Sequence, residues 1–188
     1  MDESIQCVND RVRSIIAGSR VPEDPAHAEN TVKWLHKLDP NADDALSIAA
    51  FGHDIDRAVE NRRIRKADFQ NFDAFKAAHA RNSSEILYEI MLECGVHDQL
   101  AGEVRRLVML HEAGGDVRSD LLKNADSLSF FEVNLPFYYT RNGWEKTLQR
   151  SLWGYGRLSL EAKGYLPALS YSQEILNRLL REVIRLGQ

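Results

Sequence analysis

The chain has 188 residues, of which 44% are hydrophobic and 28% are charged, and its formal net charge is −4. This composition is ordinary for a globular protein with a sizeable core, and it argues against a disordered chain. The slight excess of acidic residues gives no sign of a face for nucleic acids or anionic membranes. We therefore expect a single domain over residues 1–188 that acts on a small substrate, with neither a nucleic acid polymer nor a membrane as partner.

The chain begins with the acidic stretch Met1 to Ser4 and contains two cysteines, Cys7 and Cys94. An acidic start lacks the basic region and apolar core of a signal peptide, and no apolar run reaches the length that spans a bilayer. These features predict a cytoplasmic protein in which both cysteines are reduced thiols on apolar helix faces, outside any thiolate zinc site. The sequence leaves open whether the chain forms a homodimer.

Apolar residues recur at helical spacing almost throughout, and no alternating run is long enough to demand a sheet, so we predict an all-α fold. The predicted helices cover residues 5–17, 24–38, 44–53, 69–94, 98–111, 119–131 and 172–186, with a break near residues 82–84. Residues 57–66 are predicted as a charged loop or mobile flap. Residues 134–141 are predicted as an aromatic-rich break or short helix, and Gly154 and Gly156 as a turn.

An apolar helical run, Ala49 to Gly52, leads directly into an adjacent histidine and aspartate, His53 and Asp54. Burying such a pair costs roughly several kcal/mol unless a partner compensates, and a metal ion compensates well. The other histidines and aspartates beside apolar helix positions are His27, His79, His111 and Asp126. Imidazole and carboxylate without thiolate suit Mn, Fe, Co, Zn or Mg. Six candidate ligands are more than one ion uses, which favours two divalent ions bridged by one carboxylate.

The order His27, His53-Asp54, His79, His111 and Asp126 resembles that of the HD superfamily of metal-dependent phosphohydrolases. The resemblance covers about residues 25–130. It implies an HD-domain helical bundle with a metal site in its core, on which the N- and C-terminal helices pack. By this resemblance, Asp54 would bridge two ions. His27, His53 and Asp126 would complete the first site, and His79 and His111 would hold the second ion.

The resemblance implies that a metal-activated hydroxide hydrolyses a phosphate ester of a nucleotide or of another small phosphorylated metabolite. Arg57, three residues after Asp54, matches a position where several HD phosphodiesterases carry lysine, and its guanidinium would hold a phosphate. Glu112, next to His111, would orient water or protonate a leaving group. The predicted catalytic residues are therefore Asp54, Arg57 and Glu112. Weaker candidates for phosphate binding are Lys123, Arg141 and Lys146.

Two further interpretations stay open. The same ligand order also resembles that of the di-iron HD oxygenases, such as myo-inositol oxygenase, which activate dioxygen. Alternatively, the chain is a non-catalytic module that binds metal or a nucleotide. The cyclic-dinucleotide phosphodiesterase branch has a histidine pair where this chain has His111-Glu112, and that branch's Gly-Tyr-Pro signature is missing, so cyclic-di-GMP is not supported. His36 and His97 have no place in the pattern and are predicted at the surface.

Overall fold

The computed structural model describes residues 2–188, and within that range the chain forms nine α-helices and no β-strand. The all-α prediction is confirmed. The helices are α1 (Glu3–Ala17), α2 (Asp24–Leu38), α3 (Asp44–Gly52), α4 (Phe72–Glu93), α5 (Asp98–Leu110), α6 (Val117–Ser129), α7 (Leu135–Arg157), α8 (Leu160–Lys163) and α9 (Glu174–Gly187). Short 3₁₀ turns lie at 55–57, 60–62, 66–68 and 166–168, and one π-helical turn covers Phe130–Asn134.

Several helix ends follow directly from the local sequence. Helix α2 begins at Asp24 and carries a proline in its first turn, where the missing backbone N–H has no intrahelical acceptor to lose. Helix α3 is capped by Asp43, whose carboxylate accepts the backbone N–H of Leu46 at 3.0 Å. Gly18 closes α1, as its sequence predicts. These ends fix the directions in which α2 and α3 carry their histidines.

The predicted break in α4 near residues 82–84 is wrong, because the helix runs unbroken from Phe72 to Glu93. The two serines in that stretch are buried, yet their hydroxyls find acceptors without interrupting the helix. Ser83 donates to Asp56 at 3.2 Å, and Ser84 donates to the carbonyl of Arg81 at 2.7 Å. Tertiary and local hydrogen bonds therefore outweigh the weak helix propensity of these residues.

The region after α6 is also more helical than predicted. Residues 134–141 continue through the π-helical turn into α7, and the predicted turn at Gly154 and Gly156 lies inside α7. The backbone of α7 leaves the helical conformation at Gly143, where φ is 73°. Residues 57–66 contain no α-helix and one complete 3₁₀ turn, at 60–62, which agrees with the predicted loop. The π-helical turn and α7 together supply one wall of the cavity described below.

Helix α3 lies at the centre of the bundle and is buried along almost its whole length. It packs on α2 and α5, while α2 also packs on α6 and α4 packs on α5. At Gly52 an added Cβ would lie 2.8 Å from Cδ2 of the buried Leu87. Glycine thus lets the end of α3 approach α4 closely. The residues that follow it, His53 and Asp54, enter the protein interior as a result.

Cys7 on α1 and Cys94 at the end of α4 form a disulfide. The prediction of two reduced thiols does not hold in this structure, because α1 packs on α4 and joins residues 87 positions apart. Such a long-range pairing leaves no mark in the local sequence pattern. Among residues 2–188, no helix combines the length and the apolar character that crossing a bilayer requires.

Candidate metal centre

Four histidines from four helices converge in the core. His27 lies on α2, His53 follows α3, His79 lies on α4 and His111 follows α5, and no side chain among them is more than 5% exposed. Two aspartates complete the group, one directly after His53 and the other on α6. All six predicted metal ligands, including Asp54 and Asp126, therefore lie in one region of the structure.

Backbone carbonyl groups fix the orientation of two of these rings. Nδ1 of His53 is 2.9 Å from the carbonyl oxygen of Ala50, and Nδ1 of His111 is 2.6 Å from that of Val108. A carbonyl oxygen can only accept, so Nδ1 must carry the proton in both rings. In the neutral ring, Nε2 then presents its lone pair to the interior. Nε2 of His111 is buried without a hydrogen-bond partner among the described residues.

The other two rings are held by side chains. Nδ1 of His27 is 2.8 Å from Oγ of Ser129, and that hydroxyl donates to the carbonyl of His27, so it accepts from the ring. Nδ1 of His79 is 2.7 Å from Oδ1 of the buried Asp56. All four histidines thus direct Nε2 inward and engage Nδ1 outside the cluster. This is the arrangement that outer-shell partners impose on histidine ligands of metal ions.

The first group of potential ligands is His27, His53 and Asp126. The Nε2 atoms of the two histidines lie 3.3 Å apart, and Oδ1 of Asp126 is 3.3 Å from one and 3.5 Å from the other. Neutral rings in these tautomers would turn two lone pairs toward each other, which is unfavourable unless a cation lies between them. Two imidazole nitrogens and a carboxylate oxygen are a suitable donor set for a divalent ion.

Asp54 lies between the histidines and connects the two halves of the cluster. Its carboxylate oxygens are 3.8 Å from Nε2 of His27, 3.7 Å from Nε2 of His53 and 2.7 Å from Nε2 of His79. Arg57 donates to the same carboxylate at 2.7 Å. Burial alone would raise the pKa of Asp54, but the surrounding positive charge lowers it well below its ordinary value. The carboxylate is therefore ionised and available as a ligand.

His79, His111 and Glu112 form a further group with potential ligand atoms close together. Glu112 is buried, forms an ion pair with Lys76 and lies 3.1 Å from Nη2 of Arg157. Burial would raise its pKa, yet the neighbouring cations lower it, so it is ionised at neutral pH. It lines a neighbouring surface pocket rather than the main cavity. Glu112 is therefore also a candidate ligand, and its role in orienting water or protonating a leaving group stays a prediction.

Charge within the cluster also shifts the histidines. Burial alone would lower the pKa of His79, but the carboxylates of Asp54 and Asp56 outweigh burial and raise it to about 9. Burial opposes the same effect at His53, whose pKa is raised by Asp54 and Asp126. Burial would raise the pKa of Asp126, but the adjacent His27 and His53 and the charge of Arg157 hold it well below its ordinary value. The electrostatic environment of the cluster therefore favours positive charge.

A cavity of about 290 Å³ opens onto the cluster. Its wall contains three carboxylates and six cationic side chains, the latter being Arg57, Arg63, Lys66, Lys76, Arg141 and Arg150. Four aromatic side chains also line it: Phe72, Phe75, Phe130 and Tyr138. A cavity with this excess of positive charge favours an anionic ligand, and its aromatic surface suits an apolar or planar group attached to the anion.

The remaining predicted residues divide into two sets. Arg57 and Arg141 line the cavity, where Arg141 pairs with the buried Glu23 at 3.0 Å. Lys123 instead pairs with Asp120 at 2.7 Å. Neither Lys123 nor the exposed Lys146 lines the cavity. His36 and His97 are exposed, as predicted.

Sequence reasoning missed three neighbours of the cluster. Asp56 and Arg157 orient His79 and Asp126, and Arg150 lines the cavity. The position of Asp56, two residues after Asp54 in the same turn, was the one available signal. Arg150 and Arg157 lie after residues 25–130, the segment that resembles the HD superfamily. No local sequence pattern distinguishes them from arginines on an exposed helix face.

Fold and site together define an all-α protein whose buried histidines and carboxylates lie close enough together to hold a metal ion. The chain belongs to the family described as "Domain of unknown function (DUF4202)", whose model matches residues 7–178. No curated protein and no solved structure matches the chain. The family description states no activity and names no HD domain, so the HD resemblance stays a prediction. The function is therefore inferred from the cluster of buried histidines and carboxylates and the cavity beside it.

Proposed function

We propose that this protein is a metal-dependent phosphohydrolase of the HD type, acting on a nucleotide or another small phosphorylated metabolite. One observation carries the proposal: four histidines turn Nε2 toward two ionised aspartates, and this cluster opens onto a cavity with six cationic side chains against three carboxylates. Hydrolysis of a phosphate ester needs metal ligands and a positively charged binding surface in the same place.

The donor atoms suit two divalent ions. His27, His53 and Asp126 would hold one ion. His79 and His111 would hold the other, with Glu112 as an additional candidate ligand. Asp54 lies near both sets and would bridge them. With ions bound, the site would supply Lewis-acid polarisation of a phosphoryl oxygen and a water molecule of lowered pKa for in-line attack.

The chain's own residues would orient the substrate beside these ligands. Arg57 is held on one side by Asp24 at 2.6 Å and on the other by Asp54 at 2.7 Å, so its guanidinium is fixed at the edge of the cluster. Nη1 donates to Asp54, and Nη2 forms an ion pair with Asp24, while the side chain also lines the cavity where a phosphoryl oxygen would bind. A fixed guanidinium loses little conformational freedom when it binds an anion, and this favours precise positioning.

The cationic wall also separates the proposal from its main alternative. A di-iron oxygenase would use the same ligand types, but an uncharged alcohol substrate would gain little from six cationic side chains. A phosphate ester would gain charge-assisted hydrogen bonds from them. A non-catalytic binding module would share the cavity and differ only in lacking turnover.

Ester cleavage and oxygen uptake, measured in parallel, test the proposal, with phosphate release reporting cleavage of monoesters and product chromatography reporting cleavage of diesters. The full chain is incubated with Mn²⁺, Mg²⁺, Co²⁺, Zn²⁺ or Fe²⁺ and a panel of nucleotide mono- and diesters. We expect phosphate-ester cleavage that a chelator abolishes and that His53→Gln removes, while the surface variant His36→Gln keeps it. Oxygen consumption with iron and no cleavage of any ester would favour the oxygenase. Substrate binding without either reaction would favour the binding module.

A further inference from the structure

Arg150 is an unpaired guanidinium in the wall of the cavity. It lies on α7, and its Nη1 atom is sealed from solvent without a hydrogen-bond partner among residues 2–188. No carboxylate in that range lies within ion-pair distance of it. Burial lowers the pKa of Arg150 from its ordinary value. Its charge is therefore carried in the interior without an ion pair from the described chain.

Three of the other five cationic side chains in the cavity wall differ from Arg150 in this respect, whereas Arg63 and Lys66, at the turns over residues 60–68, also form no ion pair within the described chain. Arg57 is bound by Asp24 and Asp54, and Arg141 by Glu23. Lys76 forms an ion pair with Glu112. These pairs hold the side chains and neutralise part of their charge. Arg150 has no such pair with residues 2–188, and an anionic ligand in the cavity would supply one.

The guanidinium of Arg150 is also held in place. It lies over the ring of Phe130, 4.1 Å from the centroid, and 4.7 Å from that of Trp153. An added Cβ at Gly154, one helical turn later, would lie 3.2 Å from Nη1, so the glycine provides the space that the guanidinium occupies. An arginine stacked on aromatic rings is preorganised to bind a planar or tetrahedral anion.

The same wall carries a second polar group without a partner. Asn134 lines the cavity from the π-helical turn, and its buried Oδ1 has no hydrogen-bond partner among the described residues. π-helical turns often re-aim side chains at functional sites. Tyr138, on the next turn, lines the cavity as well. Arg150, Asn134 and Tyr138 therefore form a polar surface on the α7 side, whereas Arg57 lies against the ligand cluster.

We infer that Arg150 forms a second anion-binding position in the cavity, which binds an anionic group of the substrate other than the one that is cleaved. Its interpretation as substrate recognition rests on the proposed function. The scissile phosphoryl group would lie at the cluster beside Arg57, and the second anion would pair with Arg150 in the wall that α7 supplies. The substrate class is thus a phosphate ester that carries two anionic groups, joined by a part that fits the aromatic walls.

Equilibrium binding of inorganic phosphate tests this inference without requiring turnover. The full chain is stripped of metal with a chelator, and phosphate binding is measured by titration calorimetry. We expect one phosphate per chain, and Arg150→Met should weaken its binding at least about tenfold, as the loss of charge-assisted hydrogen bonds predicts. Arg105→Met is the matched control, because Arg105 pairs with Glu85 on the exposed surface and does not line the cavity.

Metal-loaded protein distinguishes the second position from the first. Wild type should bind two phosphates per chain, and Arg150→Met should bind one. If circular dichroism shows that Arg150→Met does not fold, Arg150→Lys is tested in its place. The lysine keeps the positive charge but lacks the planar array of donors. We expect it to weaken phosphate binding about threefold or more.

Two results would overturn the inference: no saturable phosphate binding to metal-stripped wild type, or equal affinities for wild type and the folded Arg150 variants. Arg150-dependent phosphate binding without ester cleavage would instead overturn the proposed function and leave the anion position standing.

Discussion

The Nε2 atoms of His27 and His53 lie 3.3 Å apart at the centre of the protein, and both approach the same carboxylate oxygen of Asp126. Both rings are locked by acceptors at Nδ1, so neither can turn its lone pair away without losing a buried hydrogen bond. A bound cation satisfies both nitrogens and the carboxylate at once. Asp54 lies beside this pair, 3.8 Å from Nε2 of His27 and 3.7 Å from Nε2 of His53.

Replacing Asp54 with asparagine should remove metal and activity together. The substitution keeps the size of the side chain but removes the charge that lies near His27, His79 and Arg57. We expect less than about one ion per chain by elemental analysis, and loss of phosphate release by about a hundredfold or more. Asp68→Asn changes an exposed carboxylate that does not line the cavity and serves as the control. A variant with wild-type metal content would refute the bridging role.

His79→Ala should release one ion of two. Its Nε2 lies 2.7 Å from Asp54, while the first group of ligands does not include it. The variant should still fold, although two buried carboxylates lose their shared partner, so we expect a lower melting temperature in circular dichroism. His36→Ala, on the surface, should keep both ions. An unchanged metal count in His79→Ala would reduce the site to a single ion.

Metal binding should release a proton from His79 at neutral pH. The ring has a pKa of about 9 in the metal-free protein, and a metal ligand must be deprotonated. The apparent affinity should therefore rise about tenfold for each unit of pH between 7 and 9 and then level off. Titration calorimetry in buffers of different ionisation enthalpy measures the released proton. An affinity that does not change between pH 7 and 9 would contradict the assignment.

The same shift should affect the stability of the metal-free protein. A histidine whose pKa rises from 6.5 to about 9 on folding stabilises the folded state fully below pH 6.5. That stabilisation is lost as the pH rises through 9. Urea denaturation in chelator should therefore show a falling free energy of unfolding over this range. The free energy of unfolding should fall less with pH in His79→Ala than in wild type. An equal fall in both proteins would contradict the raised pKa of His79.

Breaking the disulfide should destabilise the fold without affecting the site directly. Cys7 and Cys94 are 87 residues apart, and a cross-link across such a loop typically contributes about 2–4 kcal/mol to the free energy of unfolding. Urea denaturation with and without dithiothreitol measures this contribution. The double variant Cys7→Ser, Cys94→Ser should have the same free energy of unfolding as the reduced wild type, and dithiothreitol should not change it. If the reductant leaves wild type unchanged, the two thiols are not joined in solution.

Much of the fold could be predicted because local signals determine it. The cap at Asp43 and the proline after Asp24 set the start of two helices, and the structure agrees within a residue or two. The predictions failed where tertiary contacts override local preference. Ser83 stays helical because Asp56 accepts its hydroxyl, and Gly154 stays helical in α7, where the guanidinium of Arg150 fills the space above it.

The residues that cluster in the core could be predicted because each is a histidine or aspartate beside an apolar helix position, in a recognisable order. Their surroundings could not. The pairing of Glu112 with Lys76 and Arg157 depends on how α4, α5 and α7 pack, and the position of Arg150 depends on the π-helical turn before α7. Contacts between residues far apart in sequence leave no periodic signal in either segment.

The metal content of the chain, purified without added metal or chelator, tests the central claim most directly. Elemental analysis should find about two divalent ions per chain in wild type, and markedly fewer in Asp54→Asn. One ion would leave His79 and His111 without their proposed role. No ion, even after incubation with Mn²⁺, Fe²⁺, Co²⁺, Zn²⁺ and Mg²⁺, would contradict the account, because the facing Nε2 atoms of His27 and His53 would then have some other cause.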